Sequence, residues 1–402
     1  MTDPNARFDT LAVTHGEEPD PHGTGDVVVP LHLASTFATD RIEFDAEADP
    51  DEHMYTRISN PTRRALEQRL AALEGGDHAL AFASGTSAIA VAMLGAATPG
   101  DHIVAFDDLY GGTNSILNDL MIDRLGIDVT FVDARDTDAV AAAMQPETTL
   151  VWMETPTNPL IKLCDIEAIA EIAHNGDALL GVDNTFASPY FQRPLELGAD
   201  VVAQSTTKYL NGHSDSLGGA LITSHDGYYE ELEFLHGVGF GNVLSPFDSY
   251  LVLRGTKTLP VRMERHQENA MAIAEYLEAQ EHVDSINYPG LESHPQHDLA
   301  NRQMSGYGSV LSFELAGGLE AVETFLAHLD EFPLAVSLGG VESLIEHPAS
   351  MTHERIPREE REAIGITDSL LRMSVGIEAV DDLIEDLEQG FAALEDAAVS
   401  TP

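Results

Sequence analysis

Apolar positions in the first sixty residues follow no period, and Pro19, Pro21, Pro30 and Pro50 interrupt any regular element. That stretch, with an acidic cluster around Asp49–Glu52, reads as an irregular extended arm. From about residue 62 the texture changes. RRALEQRLAALEG has a helical period and stops at Gly75–Gly76. DHIVAFDD, IDVTFVD, TLVWMETP, LLGVDNTF and ADVVAQSTT are short apolar runs, each ending in polar or turn residues. SAIAVAMLGAA and DIEAIAEIAHNG between them read as helices. The alternation predicts an α/β fold with a mostly parallel central sheet and helices on both faces. Ligands in such folds gather at the carboxyl ends of the strands. Here those ends carry Asp107–Asp108, Glu154, Asp183 and Ser205–Lys208.

TKTLPVRMERHQENAMAIAEYLEAQ predicts a long helix after Pro260. It leads into a smaller C-terminal α+β domain, with GSVLSFEL and SLLRMSVG as strands and DDLIEDLEQGFAALEDA as a closing helix. The expected division is an arm over 1–60, a large domain over 61–255 and a C-terminal domain over 256–402. At roughly 150 residues per domain, 402 residues allow two or three.

Composition sharpens this reading. No apolar run approaches the roughly 18 to 20 residues that span a bilayer. The start, MTDPNARFDT, lacks the basic and apolar stretches of a signal peptide. A single cysteine, Cys164, forms no internal disulfide and fits a reducing cytoplasm. There are 68 acidic residues against 20 basic ones, net −48. Such a field repels nucleic acid and anionic lipid. The acids are spread along the chain, as expected of a solvated surface in a salty cytoplasm, where a Debye length of roughly 3 Å at 1 M salt relieves self-repulsion. Only three lysines remain: Lys162, Lys208 and Lys257. A task that needs a neutral primary amine cannot pass to arginine, so each has a reason to persist.

Lys208 lies in STTKYLNGHSD at the end of an apolar run. Its amine could join an aldehyde, while the Ser205 and Thr207 hydroxyls could bind an adjacent phosphate. VDNTF ends a buried-looking strand in Asp183, whose carboxylate could keep a pyridine nitrogen protonated or simply cap the following turn. FASGTSAIAVAM places Ser84, Gly85 and Thr86 at a helix start, where backbone N–H groups suit a phosphate. YTRISNPT offers Tyr55 and Arg57, the latter a planar fork for phosphate. DDLYGGT presents Tyr110, an aromatic face for a planar cofactor. ETPTNP and LRMSVG add Asn158 and Arg372, either of which could clamp a carboxylate.

Together these segments resemble the cystathionine gamma-synthase and gamma-lyase family of Cys/Met-metabolism pyridoxal-phosphate enzymes. The resemblance runs from about Thr14 to Ala397. It also includes YPGLESHPQH, SLGGVESL and PASMTH. It implies a fold type I pyridoxal-phosphate-dependent transferase and pyridoxal 5'-phosphate as cofactor. It further implies that Lys208 bonds the cofactor, Asp183 meets its pyridine nitrogen, and Tyr110 stacks on the ring and serves as acid or base. Ser84, Gly85, Thr86, Ser205 and Thr207 match the phosphate cup, although Met or Leu is common where Thr86 stands. Tyr55 and Arg57 match residues that reach the phosphate of a neighbouring subunit, which implies an active homodimer, commonly paired into a tetramer. Asn158, Ser337 and Arg372 match the substrate-carboxylate site.

The implied activity is γ-elimination or γ-replacement on cystathionine or an O-acyl-homoserine. Three positions depart from the cystathionine pattern. Met54 stands where an acidic residue is usual, Ser115 where Arg is usual, and Val336 where Glu is usual. Losing those charges points toward methionine gamma-lyase. Gly112 and Gly340, in place of that enzyme's Cys and Asp, point away from it. O-acetylhomoserine sulfhydrylase is a further alternative. A nicotinamide-linked dehydrogenase would need G-x-G-x-x-G after an early strand; GVGFG at 237–241 has the wrong spacing and reads as loop. Among the 17 histidines, His294 and His297 are split by Pro295, so no metal site is expected.

Overall fold

The side chain of Asn60 accepts the backbone N–H groups of Thr62 and Arg63, and the helix Pro61–Glu74 begins there. It ends at Gly75, whose φ of 77° places it in the left-handed region that glycine adopts freely. The computed structural model describes residues 6–17, 19, 24–39, 53–354 and 356–400. The acidic cluster around Asp49–Glu52 lies outside the described residues. The arm is not wholly irregular: Phe8–Thr14 forms a helix whose Leu11 and Ala12 are buried in a small cluster with Leu73.

The large sheet contains β1 (His78–Phe82), β2 (His102–Phe106), β3 (Asp128–Val132), β4 (Thr148–Glu154), β5 (Leu179–Asp183), β6 (Val201–Gln204) and β7 (Gly219–Thr223). Their order is β1-β7-β6-β5-β4-β2-β3. The run β6-β5-β4-β2-β3 is parallel, whereas β7 is antiparallel to both its neighbours. Burial on both faces is why the inner strands read as unbroken apolar runs; Trp152, Val182 and Val201 are fully enclosed, whereas the edge strand β3 is only partly covered. In the β4–β5 register Glu154 lies opposite Asp183, so two carboxylates meet at neighbouring strand ends.

A second sheet, β8 (Val283–Asn287), β9 (Val310–Leu315), β10 (Leu344–Glu346) and β11 (Leu370–Ser374), is antiparallel in the order β10-β11-β9-β8. The expected helix after Pro260 spans Leu259–Glu278. It ties the two sheets together. Arg262 Nη1 donates to the Tyr209 carbonyl at 2.8 Å, and His266 Nδ1 lies 2.7 Å from the Val375 carbonyl. The GVGF part of the GVGFG segment is helical rather than loop, at the end of Phe234–Phe240, and Gly241 terminates it. Among the described residues no helix is long and apolar enough to cross a membrane, and no group of His, Cys, Asp and Glu is arranged to hold a metal.

Candidate active site

The carboxyl ends of β4, β5 and β6 open into a cavity of about 390 Å³. Ser84, Gly85, Thr86, Tyr110, Asn158, Asp183, Ser205, Thr207, Lys208, Ser337 and Arg372 all line it. Tyr55 and Arg57 do not. Tyr55 is exposed, and Arg57 donates to the carbonyl of Gly237, away from the cavity.

Lys208 follows β6 by four residues, and its Nζ donates to Ser337 Oγ at 2.7 Å. Burial, with Arg372 nearby, brings its pKa down from the ordinary 10.5 to about 8; Glu346 opposes this. Ser337 has a φ of 112°, a conformation that costs a non-glycine residue roughly 1–3 kcal/mol. Two residues on, Gly339 (φ 74°) leaves no room for a Cβ, which would stand 2.8 Å from Tyr209 N. This turn therefore fits directly against the Lys208–Tyr209 segment.

Ser84 caps the helix Gly85–Ala96, its Oγ accepting Ser87 N–H at 3.1 Å. The helix start presses on the sheet: a Cβ at Gly219 would lie 2.6 Å from Gly85 Cα. Ser205 and Thr207 stand beside it, with Ser205 N donating to Thr185 Oγ1 at 2.9 Å and Thr207 Oγ1 to the Gly218 carbonyl at 3.2 Å. Helix-start N–H groups and hydroxyls gathered at one corner are groups that could hold a phosphate.

Asp183 accepts Thr185 N–H at 3.0 Å, so it does cap the following turn, yet it also faces the cavity. Burial raises its pKa. Glu154, which also lines the cavity, accepts Tyr110 N–H at 2.8 Å and Asn158 N–H at 3.0 Å. It thereby fixes two of the expected residues at once. Burial, then the charge of Asp183, pushes its pKa well up. Arg372 on β11 is buried. Its Nη1 donates to Asn158 Oδ1 at 2.7 Å and pairs with Glu346 Oε1 at 2.9 Å; Nη2 donates to the Ser337 carbonyl at 2.7 Å. Residue patterns at strand ends located most of this site, but not Glu346. It lies in the three-residue strand β10, too short to show a period.

The other two lysines are also engaged. Lys162 pairs with buried Asp108 at 3.3 Å, and Lys257 with Glu17 at 2.8 Å.

Residues 9–392 match the family model described as Cys/Met metabolism PLP-dependent enzyme. The chain belongs to this family. It is 48% identical over 387 residues to a cystathionine gamma-lyase of Mus musculus, covering 96% of this chain and 95% of that one. It is 50% identical over 387 residues to a cystathionine gamma-synthase of Mycobacterium bovis, covering 95% and 96%. The crystal structure of cystathionine gamma-lyase from Lactobacillus plantarum complexed with L-serine superimposes with a TM-score of 0.91 at 43% identity, covering 97% and 100%. The chain is thus a pyridoxal-phosphate-dependent enzyme with the fold of that family. The cavity fits the cofactor on its own chemistry: a partly buried amine, a buried carboxylate, an aromatic face and a helix start converge within one enclosure.

Proposed function

We propose that this family member is a transsulfuration enzyme of the cystathionine gamma-lyase/gamma-synthase type, acting by γ-elimination or γ-replacement on cystathionine or an O-acyl-homoserine. The observation that carries the reading is the placement of Lys208, a partly buried amine with lowered pKa, in one cavity with Asp183 and Arg372. The names of similar relatives at 48% and 50% identity support the substrate class.

In this reading Lys208 holds the cofactor, Asp183 keeps the pyridine nitrogen protonated and Tyr110 lies on the ring. Ser84, Gly85, Thr86, Ser205 and Thr207 receive the phosphate. When bound, pyridoxal phosphate stores the electron pair released at Cα, which lets a proton leave Cβ and the γ substituent depart. Lys208, displaced by the substrate's amine, takes the Cα proton; burial lowers its pKa to about 8, so that above this pH it is mostly neutral and fit to act as a base. Arg372, Asn158 and Ser337 hold the substrate carboxylate, and Tyr110 passes protons at the leaving group. Hydrolysis of the remaining fragment, which takes up one water, gives 2-oxobutanoate and ammonia, whereas addition of a thiol gives the replacement product.

Residues 1–60 act as an arm reaching a neighbouring subunit, 61–255 as the cofactor domain and 256–402 as the C-terminal domain. The active unit is a homodimer, paired into a tetramer. Tyr55 and Arg57, which do not line their own chain's cavity, complete the neighbour's. Phe234, Val238, Phe240 and Phe247, each more than half exposed on a chain of net charge −48, fit coverage by a second copy. The same charge fits a salt-rich cytoplasm, so activity and assembly should rise with molar salt; full activity in dilute buffer contradicts this.

The test compares initial rates of 2-oxobutanoate formation from L-cystathionine and L-methionine in high salt. Faster cystathionine turnover, with cysteine released, supports the proposal. Faster methionine turnover, with methanethiol released, overturns it in favour of methionine gamma-lyase. The uncharged Val336 on the cavity wall makes that arm worth running.

A further inference from the structure

Arg372 has five N–H groups, of which the described residues use three. Asn158 Oδ1 and Glu346 Oε1 take both from Nη1, at 2.7 and 2.9 Å. The Ser337 carbonyl takes one from Nη2 at 2.7 Å. The Nε–H is buried without a partner among the described residues. Nε–H and the second Nη2–H share one edge of the guanidinium, and that edge matches the two oxygens of a carboxylate.

Glu346 decides which edge stays free. Its carboxylate is fully enclosed, and Oε1 also accepts the hydroxyl of Thr352 at 3.1 Å. It is therefore anchored rather than free to turn. β10 and β11 are paired in register with Glu346 directly opposite Arg372, so the sheet itself sets the distance between the two groups. Oε2 has no partner among the described residues, so a single oxygen makes the contact. We propose that Glu346 is a positioning residue that holds Arg372 by Nη1 and thereby presents the Nε/Nη2 edge to the carboxylate of an α-amino acid. The inference rests on the amino-acid reading given above and deepens it.

Two variants separate geometry from charge. E346D keeps the charge but withdraws the carboxylate by one methylene, out of reach of Nη1. E346Q keeps an oxygen in place and removes the charge. The probe is binding of L-alanine to each holoenzyme, read by the change in cofactor absorbance, with ethylamine, the same molecule without its carboxylate, as control. E346D should weaken L-alanine binding about ten-fold, as expected for a misplaced charge-assisted hydrogen bond. E346Q should stay within about three-fold of the parent, its neutral oxygen still orienting Nη1. Ethylamine should bind all three proteins alike. Because Glu346 supports the charged form of Lys208, E346Q should also move the acid limb of the pH–rate profile to lower pH. The proposal is overturned if E346D binds L-alanine like the parent, if E346Q is as impaired as E346D, or if ethylamine binding falls in parallel. A parent holoenzyme that gives no response to L-alanine would instead overturn the amino-acid reading itself.

Discussion

At the Ser84–Thr86 end the cavity is lined by the large sheet, the loops at its strand ends and the start of the helix Gly85–Ala96, whereas the Arg372 end is assembled across two sheets. The first end is held by backbone. Ser84 caps a helix, and the close approach of Gly85 and Gly219 leaves no room for a side chain. The second end is held by polar side chains, with Arg372 of the small sheet reaching Asn158 of the large domain at 2.7 Å. Backbone packing specifies a position that few substitutions can shift. A handful of charge-assisted contacts specifies orientation, and single substitutions can retune it with little change to the fold. Under the proposed function, the end that receives the cofactor is thus fixed by the architecture, and substrate choice falls to the other end. Val336 belongs to that end too, one residue before Ser337, whose carbonyl receives Arg372.

The largest effect tests the residue between the two ends. K208A should lower turnover by about a thousand-fold or more and remove the cofactor's covalent attachment, while circular dichroism stays that of the parent. Next, R372Q should break the polar end alone. It should cost about a hundred-fold in kcat/KM, mostly through KM, with the cofactor still bound, because Glu346 is left as an unpaired buried carboxylate and the substrate loses its cation. Retained KM would mean that the carboxylate is held elsewhere.

A pH experiment separates Lys208 from an ordinary lysine. Only the neutral amine attacks the cofactor's aldehyde. Below its pKa the neutral fraction falls about ten-fold per pH unit. Cofactor loading of the apo-protein, followed by absorbance, should therefore rise with pH and level off near 8 rather than continue toward 10.5. The smallest effect addresses the backbone end. G219A would bring a Cβ within 2.6 Å of Gly85 Cα and push the helix start away, so cofactor affinity should fall about ten-fold. With cofactor saturating, KM for the amino acid should not change. A shift of KM alone would reverse the comparison between the two ends.

The sequence made the cofactor end legible for physical reasons. Strands buried on both faces give apolar runs, and their ends mark where Glu154, Asp183 and Ser205–Lys208 stand. Scarcity singled out Lys208, and the structure accounts for the other two lysines as partners of Asp108 and Glu17. What escaped the reading depends on tertiary convergence. Glu346 sits on a three-residue strand, and its meaning comes from Arg372, 26 positions later and opposite it across the sheet. Glu154 was visible as a strand-end acid, but not as the acceptor that joins the loops of Tyr110 and Asn158. β7 begins in a glycine pair, Gly218–Gly219, so neither its presence nor its antiparallel direction was readable. The helix Phe8–Thr14 was hidden by the prolines that follow it.

The central claim is that Lys208 carries the cofactor. Because the chain has only three lysines, reduction of the holoenzyme with borohydride followed by peptide mapping tests it directly. The account predicts the added cofactor mass on the peptide containing Lys208 and on no other. Added mass on Lys162 or Lys257, or on no lysine at all, would contradict it.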